Sequence, residues 1–121
     1  MPDVRFPVEV IKGVPVLTAP EEIDITNAGE LETALLRSAR RGPGGFVVDL
    51  TRTRFCDSAG VSTLVRAFRR ATSSGTKMRL VVGGLAVQRV LTLTGVDRLI
   101  EVYPSVRAAL GSPPGTTKGG G

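Results

Sequence analysis

The sequence of 121 residues contains no histidine, no tryptophan and a single cysteine, Cys56. The absence of histidine excludes Ser-His-Asp and Cys-His catalysis, histidine-ligated zinc and a histidine phosphocarrier. A lone cysteine excludes a disulfide within one chain and a cysteine-cluster metal site, and we interpret Cys56 as a small buried hydrophobic residue. Phosphate-binding glycine loops are also missing. We therefore expect a protein that is not an enzyme and holds no cofactor or metal.

Long hydrophobic runs are absent as well. No apolar stretch approaches the roughly 20 residues that span a bilayer, and the first residues lack the basic and apolar regions of a signal peptide. We expect no membrane insertion and a cytoplasmic location. The length suits one domain, which we place at residues 1–110. A flexible tail rich in Gly and Pro is predicted at residues 111–121.

Charge is divided unevenly along the chain. The net charge is +5, yet residues 1–36 hold two basic and seven acidic side chains, and residues 37–121 hold fourteen basic and four acidic ones. Most of the cations are arginines, which favour carboxylate and phosphate partners. The sequence has four Phe and one Tyr, and none interleaves with a basic cluster as a base-stacking surface requires. We expect no direct contact with nucleic acid.

Hydrophobic periodicity predicts strands that alternate with helices. The predicted strands cover residues 6–11, 14–18, 46–50, 78–82 and 99–103. The predicted helices begin after Asn27, at the Asp57–Ser58 loop, at Ala86 and at Pro104. Asn27 is expected to cap the first helix, with Glu30 in capping-box position, and the segment between the hairpin and this helix is interpreted as a polar loop. The fold class is α/β: an open, mixed, mostly parallel sheet of about five strands with about four helices.

The loop that leads into the second helix, with the sequence FCDSAG, is the candidate functional site. Ser58 is predicted to be the helix N-cap, its hydroxyl accepting from the amide of Gly60 or Val61. Asp57 places negative charge at the positive end of the helix dipole, and Ala59 and Gly60 are small enough for close approach. Propensity alone fits an ordinary helix start. The functional alternative is an exposed hydroxyl that a kinase modifies, adding an anion at a helix N-terminus.

The second helix is predicted to have an apolar face of Val61, Leu64, Val65 and Phe68. The opposite face consists of Ser62, Thr63, Arg66, Arg69 and Arg70. Its arginines are interpreted as a solvated face, with contact to the acidic surface of a protein partner as the alternative.

Taken together, the segments PEEIDITNAGEL, VVDL, FCDSAGVSTLV, MRLVVGG and VLTLTGVDRLIEVYPS resemble STAS-domain proteins, specifically stand-alone anti-sigma factor antagonists. The resemblance covers residues 5–110 or so and implies that an anti-sigma factor with serine kinase activity phosphorylates Ser58. It also implies that the unphosphorylated form binds this anti-sigma factor and frees its sigma factor, and that a PP2C-type phosphatase restores that form. The acidic residue of the family's early loop corresponds to Asp24.

The sequence departs from the family pattern at two positions. Ala59 stands where a serine or threonine is commoner, and Glu21 where a glycine is. The residues expected to bind the partner are Asp24, Asp57, Ser58, Ala59, Gly60, Ser62, Thr63 and Arg66.

Two alternatives remain open from the sequence. One is a STAS subunit of a lipid-transport ABC ATPase complex. The other is a small hydrolase with Ser58 as nucleophile, which lacks a histidine base and the G-x-S-x-G elbow.

Overall fold

The computed structural model describes residues 6–111. The strands and helices of this part follow one another as β1 (Val8–Ile11), β2 (Val14–Thr18), β3 (Glu22–Ile23), α1 (Ala28–Arg41), β4 (Gly45–Asp49), β5 (Phe55–Cys56), α2 (Ser58–Ser73), β6 (Lys77–Val81), α3 (Leu85–Thr94), α4 (Val96–Leu99), β7 (Glu101–Tyr103) and α5 (Val106–Leu110). The main sheet has the order β1-β2-β4-β6-β7. Its first pair is antiparallel and the other three pairs are parallel. The predicted fold class is confirmed.

Strands β4 and β6, in the interior of the sheet, are buried on both faces. Along β4, Phe46 and Val48 belong to the larger hydrophobic core, and Val47 between them belongs to a smaller core on the other face, as the alternation of side chains along a strand requires. Leu31 and Leu35 of α1 and Leu64 of α2 are fully buried in the larger core. The smaller core is closed by α5, which contributes Ala109, Val106 and Leu110.

A second, two-residue ladder lies inside segments for which the sequence predicted loops. Ile23 of β3 pairs with Cys56 of β5, and Glu22 pairs with Phe55, in parallel orientation. Both strands are too short for a periodic pattern to be recognised in the sequence. The ladder is important for the site because it joins the loop before α1 to the loop before α2.

Asn27 occupies the N-cap position of α1, as predicted, but its side chain does not cap the helix. Its Oδ1 accepts instead from the backbone amide of Asp24 at 3.0 Å, and its Nδ2 donates to the carbonyl of Glu22 at 2.7 Å. The carbonyl of Asp24 accepts from the amide of Ala28 at 2.9 Å. Asn27 therefore folds the loop that precedes the helix, since a short amide side chain can hydrogen-bond nearby backbone in a turn as well as at a cap.

Several boundaries also differ from the prediction. The first strand begins at Val8 rather than at residue 6, and the short helix α4 takes up Leu99, the predicted start of the last strand. The last helix is capped by Ser105, whose hydroxyl accepts from the amide of Ala108 at 3.0 Å, and does not begin at Pro104. The division into a domain at 1–110 and a tail at 111–121 stays a prediction, because residues 112–121 lie outside the described part.

The described residues contain neither a membrane-spanning helix nor a cluster of metal-ligating side chains. Within residues 6–111, no helix has both the length and the apolar character that crossing a membrane takes. The same residues bring no three His, Cys, Asp or Glu side chains together in a metal-binding arrangement.

Candidate functional site

The short β3–β5 ladder brings the two halves of the candidate site together. Because β3 and β5 run parallel, the residues that follow them leave the ladder side by side. The amide of Asp57 donates to the carbonyl of Ile23 at 3.1 Å, so that Asp57 continues the pairing by one more bond. Asp24 directly follows Ile23, and Ser58 directly follows Asp57. Asp24 is therefore placed beside the Asp57–Ser58 loop.

The start of α2 differs from the prediction in one respect. Asp57, with an extended backbone, is the N-cap residue, and its carboxylate accepts from the amide of Gly60 at 3.0 Å. Ser58 is the first residue of the helix; the prediction that it is the cap is wrong. Asp57 takes this place because its backbone is held extended by its bond to Ile23, as an N-cap conformation requires. The hydroxyl of Ser58 is exposed and makes no hydrogen bond to any residue from 6 to 111.

This arrangement predicts unequal effects on stability for two neighbouring substitutions. Ser58→Ala should change the free energy of unfolding by less than about 0.5 kcal/mol, because an exposed side chain without a partner is lost. Asp57→Ala should lower it by about 1 kcal/mol, the ordinary value of a lost N-cap. Urea denaturation of the two variants beside the unchanged protein measures both. A loss in Ser58→Ala as large as in Asp57→Ala would contradict the capping assignment.

Gly60 allows the start of α2 to lie close to the ladder. A Cβ at this position would stand 2.7 Å from Sγ of Cys56 and 2.7 Å from Cγ2 of Ile23, which is too short for any real contact. Gly60 is itself buried. It therefore packs against the ladder and is not available to a partner, contrary to the prediction. The neighbouring Ala59 is half-buried and faces outward less than Ser58 does.

Cys56 is a buried free thiol, as the sequence predicted. Burial, and then the charge of Asp57, raises the pKa of the Cys56 thiol to about 11. The reactive thiolate is therefore scarce at neutral pH. Cys56 fills space beneath the site.

The face of α2 beyond the site is divided between exposed and buried residues. Ser62 and Arg66 are exposed, as predicted. Thr63 is fully buried, which corrects its predicted place on the exposed face. Its hydroxyl donates to the carbonyl of Ala28 at 3.3 Å and accepts from the guanidinium of Arg66 at 3.4 Å. The reason is that α1 packs against this side of α2, a contact that the periodicity of α2 alone does not contain.

Arg66 also joins the two helices. Its Nη2 lies 3.0 Å from Oε1 of Glu32 in α1, and its side chain keeps 54% of its surface exposed. An ion pair at this exposure contributes little to stability. Arg66 therefore remains accessible at the edge of the site.

Two exposed apolar residues beside the site were missed by the sequence analysis. Ile25 is 78% exposed and Phe55 is 51% exposed. Phe55 alternates with the buried Cys56 along β5, and Ile25 lies in the turn that follows β3. No periodic signal in the sequence marks either residue, because Phe55 lies in a two-residue strand and Ile25 lies in a turn. Exposed apolar side chains of this size, next to polar ones, are typical of contact surfaces.

Asp24 is ionised at neutral pH. Its carboxylate accepts from the hydroxyl and the backbone amide of Thr26. These bonds, the hydroxyl first, hold the pKa of Asp24 below its ordinary value. The site thus presents the carboxylates of Asp24 and Asp57 and the exposed hydroxyl of Ser58.

Comparison with known proteins identifies the family of the chain. The family described as the STAS domain matches residues 5–109. The anti-sigma-F factor antagonist RsfB of Mycobacterium tuberculosis is 30% identical over 98 residues, 81% of this chain and 80% of that protein. A Thermotoga maritima protein provisionally named an anti-sigma factor antagonist is 26% identical over 106 residues, 87% of this chain and 94% of that protein. A crystal structure of an anti-sigma factor antagonist from Mycobacterium paratuberculosis has a TM-score of 0.79 at 30% identity and covers 88% of this chain and 90% of that one.

The chain belongs to the STAS domain family, among the members known as anti-sigma factor antagonists.

Proposed function

We propose that this protein binds an anti-sigma factor that is also a serine kinase, and so frees the sigma factor which that protein holds. Phosphorylation of Ser58 by the bound kinase ends the interaction, and a PP2C-type phosphatase restores the binding form. The observation that carries the proposal is the free, exposed hydroxyl of Ser58 at the first residue of α2. The names of the sequence relatives support the choice of partner.

The proposed contact surface is smaller than the sequence suggested. Ser58 lies at its centre, with Asp24 and Asp57 beside it and Ala59 next in the chain. Further members are Ser62, Arg66 and the exposed apolar residues Ile25 and Phe55. Gly60 and Thr63 are omitted because both are buried. A surface of this kind, with an apolar element among polar groups, resembles ordinary protein–protein contacts.

A phosphate on Ser58 can be accommodated without unfolding. The first turn of a helix leaves backbone amides without intrahelical partners, and the helix dipole favours an anion there. The modification adds roughly 1.5 to 2 negative charges between Asp24 and Asp57. The effect is therefore local and electrostatic: it changes what the surface can bind and leaves the core as it is.

The experiment is phosphorylation in solution. The protein is incubated with ATP and candidate anti-sigma kinases, and the peptide that contains Ser58 is analysed by mass spectrometry. We expect a single phosphate on this peptide, its loss in Ser58→Ala and its retention in Ser62→Ala, which removes another exposed hydroxyl of the same helix. Full phosphate incorporation in Ser58→Ala would show that Ser58 is not the acceptor.

A further inference from the structure

The end of the domain opposite Ser58 is strongly basic. Both α1 and α2 run against the direction of the parallel strands, so their last turns lie at the edge where β4 and β6 begin. These two helices carry exposed arginines at positions Arg37, Arg40, Arg41, Arg66, Arg69 and Arg70. Arg66 pairs with Glu32. The other five, here called the arginine face, form no ion pair in the described part of the chain.

The arginine face holds more positive charge than the helix ends require. Each helix C-terminus acts as about half a negative charge, and cations in the last turn offset it. Roughly one positive charge therefore offsets the C-terminal dipole charges of the two helices together. The arginine face exceeds this several-fold, so that its field favours a partner with several negative charges.

A groove between the two helices gives the arginine face a shape as well as a charge. The groove has a volume of about 300 Å³ and lies between Arg40 of α1 and Arg70 of α2. Leu36, Ala39, Pro43 and Ala71 contribute its apolar lining. A complementary ligand therefore has an apolar side chain for the groove and carboxylates for the two guanidinium groups. A guanidinium binds a carboxylate in bidentate fashion.

A segment with this chemistry exists in the chain itself. The loop Glu21–Ile25 at the Ser58 end, here called the acidic loop, contains Glu21, Glu22 and Asp24 and the 78% exposed side chain of Ile25. The side chain of Glu21 forms a 3.8 Å ion pair with Arg54, in which both side chains are largely exposed. The acidic loop and the arginine face lie at opposite ends of the domain and cannot meet within one molecule.

We propose that the arginine face binds the acidic loop of a second copy of this chain, with Ile25 in the groove and carboxylates on the arginines. The contact joins two different surfaces, so association is head to tail and can extend beyond a dimer. The phosphates of duplex DNA or of an anionic bilayer would satisfy the arginines, but neither presents an aliphatic side chain beside its phosphates, since lipid acyl chains lie beneath the headgroups. The observations therefore favour the acidic loop.

The contact would also regulate the candidate site. The acidic loop lies beside Ser58, so a bound second copy covers part of the surface proposed for the anti-sigma factor. This consequence rests on the proposed function, whereas the association itself does not. Association is weak and sensitive to salt, because its ion pairs are formed by exposed side chains.

The test is sedimentation of the purified chain over a range of concentrations. At 0.01 M salt, where the Debye length is about 30 Å, the average mass should rise with concentration. At 1 M salt, where it is about 3 Å, the mass should return to that of one chain. Arg40→Glu with Arg70→Glu, the arginine variant, should weaken association by about tenfold or more. Arg89→Glu with Arg107→Glu is the control: it changes the net charge by the same amount, on other helices, and should leave association unchanged.

Mixing two variants tests the head-to-tail arrangement. Glu22→Lys with Ile25→Ser, the loop variant, changes the binding groups of the acidic loop and keeps the arginine face intact. The arginine variant has an altered arginine face and an intact acidic loop. Each should remain a single chain alone, and an equal mixture should form a dimer of one copy of each. Circular dichroism checks that both variants are folded.

Three outcomes overturn the proposal. The first is a single-chain mass at low salt at every concentration, and the second is a mixture of the two variants that does not associate. The third is that the unchanged protein does not self-associate but binds duplex DNA or anionic vesicles, and that the arginine variant loses this binding. That result would assign the arginine face to phosphates. None of these measurements uses an anti-sigma factor, so failure here leaves the proposed function standing.

Discussion

Phosphorylation of Ser58 is expected to weaken binding of the anti-sigma factor by about thirtyfold or more while the domain keeps its fold. The unmodified hydroxyl is exposed and bonded to nothing in the described chain, so a partner can pack over it at little cost. A phosphate in the same place must be stripped of water when the partner binds. Its charge also adds to those of Asp57 and Asp24. A partner that binds the unmodified form is suited to these two carboxylates and has no group to compensate the additional charge. An uncompensated charge in an interface commonly costs about 2–5 kcal/mol.

The effects on binding and on folding are measured separately. Calorimetric titration with the anti-sigma factor gives the affinity, and thermal unfolding gives the stability. Because the helix N-terminus tolerates an anion, stability should change by no more than about 1 kcal/mol in either direction. Ser58→Asp serves as a partial mimic, and Ser73→Asp places the same charge at the other end of α2, away from the proposed contact surface, as the matched control for affinity.

Two results would contradict this mechanism in different ways. Equal affinity of the phosphorylated and unmodified proteins would mean that Ser58 is not the switch. A much lower melting temperature after phosphorylation would mean that the switch acts by unfolding the start of α2, since a local change of surface charge predicts no such loss.

The fold could be predicted from the sequence where the hydrophobic signal is long. The buried runs of β4 and β6 and the periodic faces of α1 and α2 give strong, unambiguous patterns. The two-residue strands β3 and β5 contain too few residues for a period, and their pairing is a long-range contact that only the folded chain shows. The role of Asn27 was misjudged for a similar reason, because propensity does not distinguish a cap from a loop-internal bond.

Two structural details of the candidate site differ from the sequence prediction, the N-cap residue of α2 and the burial of Thr63. Asp57 and Ser58 are both good capping residues, and the choice between them is made by the bond from Asp57 to Ile23, 34 positions earlier in the chain. The burial of Thr63 depends on the packing of α1 against α2. Sequence patterns describe one element at a time, so a residue whose environment is supplied by another element is the kind that they misplace.

Gly60 is the residue whose substitution we expect to disturb the structure of the site most. An alanine there would place its Cβ 2.7 Å from Sγ of Cys56 and from Cγ2 of Ile23. Both neighbours are buried in the larger core, so neither can move freely, and overpacking of this kind commonly costs about 1–3 kcal/mol. Alanine is the better helix former by about 0.8–1.0 kcal/mol, which offsets part of that cost. The net expectation is a loss of up to about 2 kcal/mol.

Gly29 provides the matched control. It lies in the first turn of α1, and a Cβ added there would meet nothing within 4 Å. Gly29→Ala should therefore raise the free energy of unfolding by about 0.4–1 kcal/mol, the usual gain from a less flexible unfolded chain. The same substitution in the first turn of the two helices is thus expected to have opposite signs, and urea denaturation measures both.

The loss at Gly60 should extend to function. A Cβ that pushes α2 away from the ladder also moves Ser58 away from Asp24, so phosphorylation of Gly60→Ala by the anti-sigma kinase should be slower than that of Gly29→Ala. Cys56→Ala in the Gly60→Ala background removes Sγ, one of the two atoms in collision, and should recover part of the lost rate. If Gly60→Ala is as stable as Gly29→Ala and is phosphorylated as fast, the close contact between α2 and the ladder does not position Ser58.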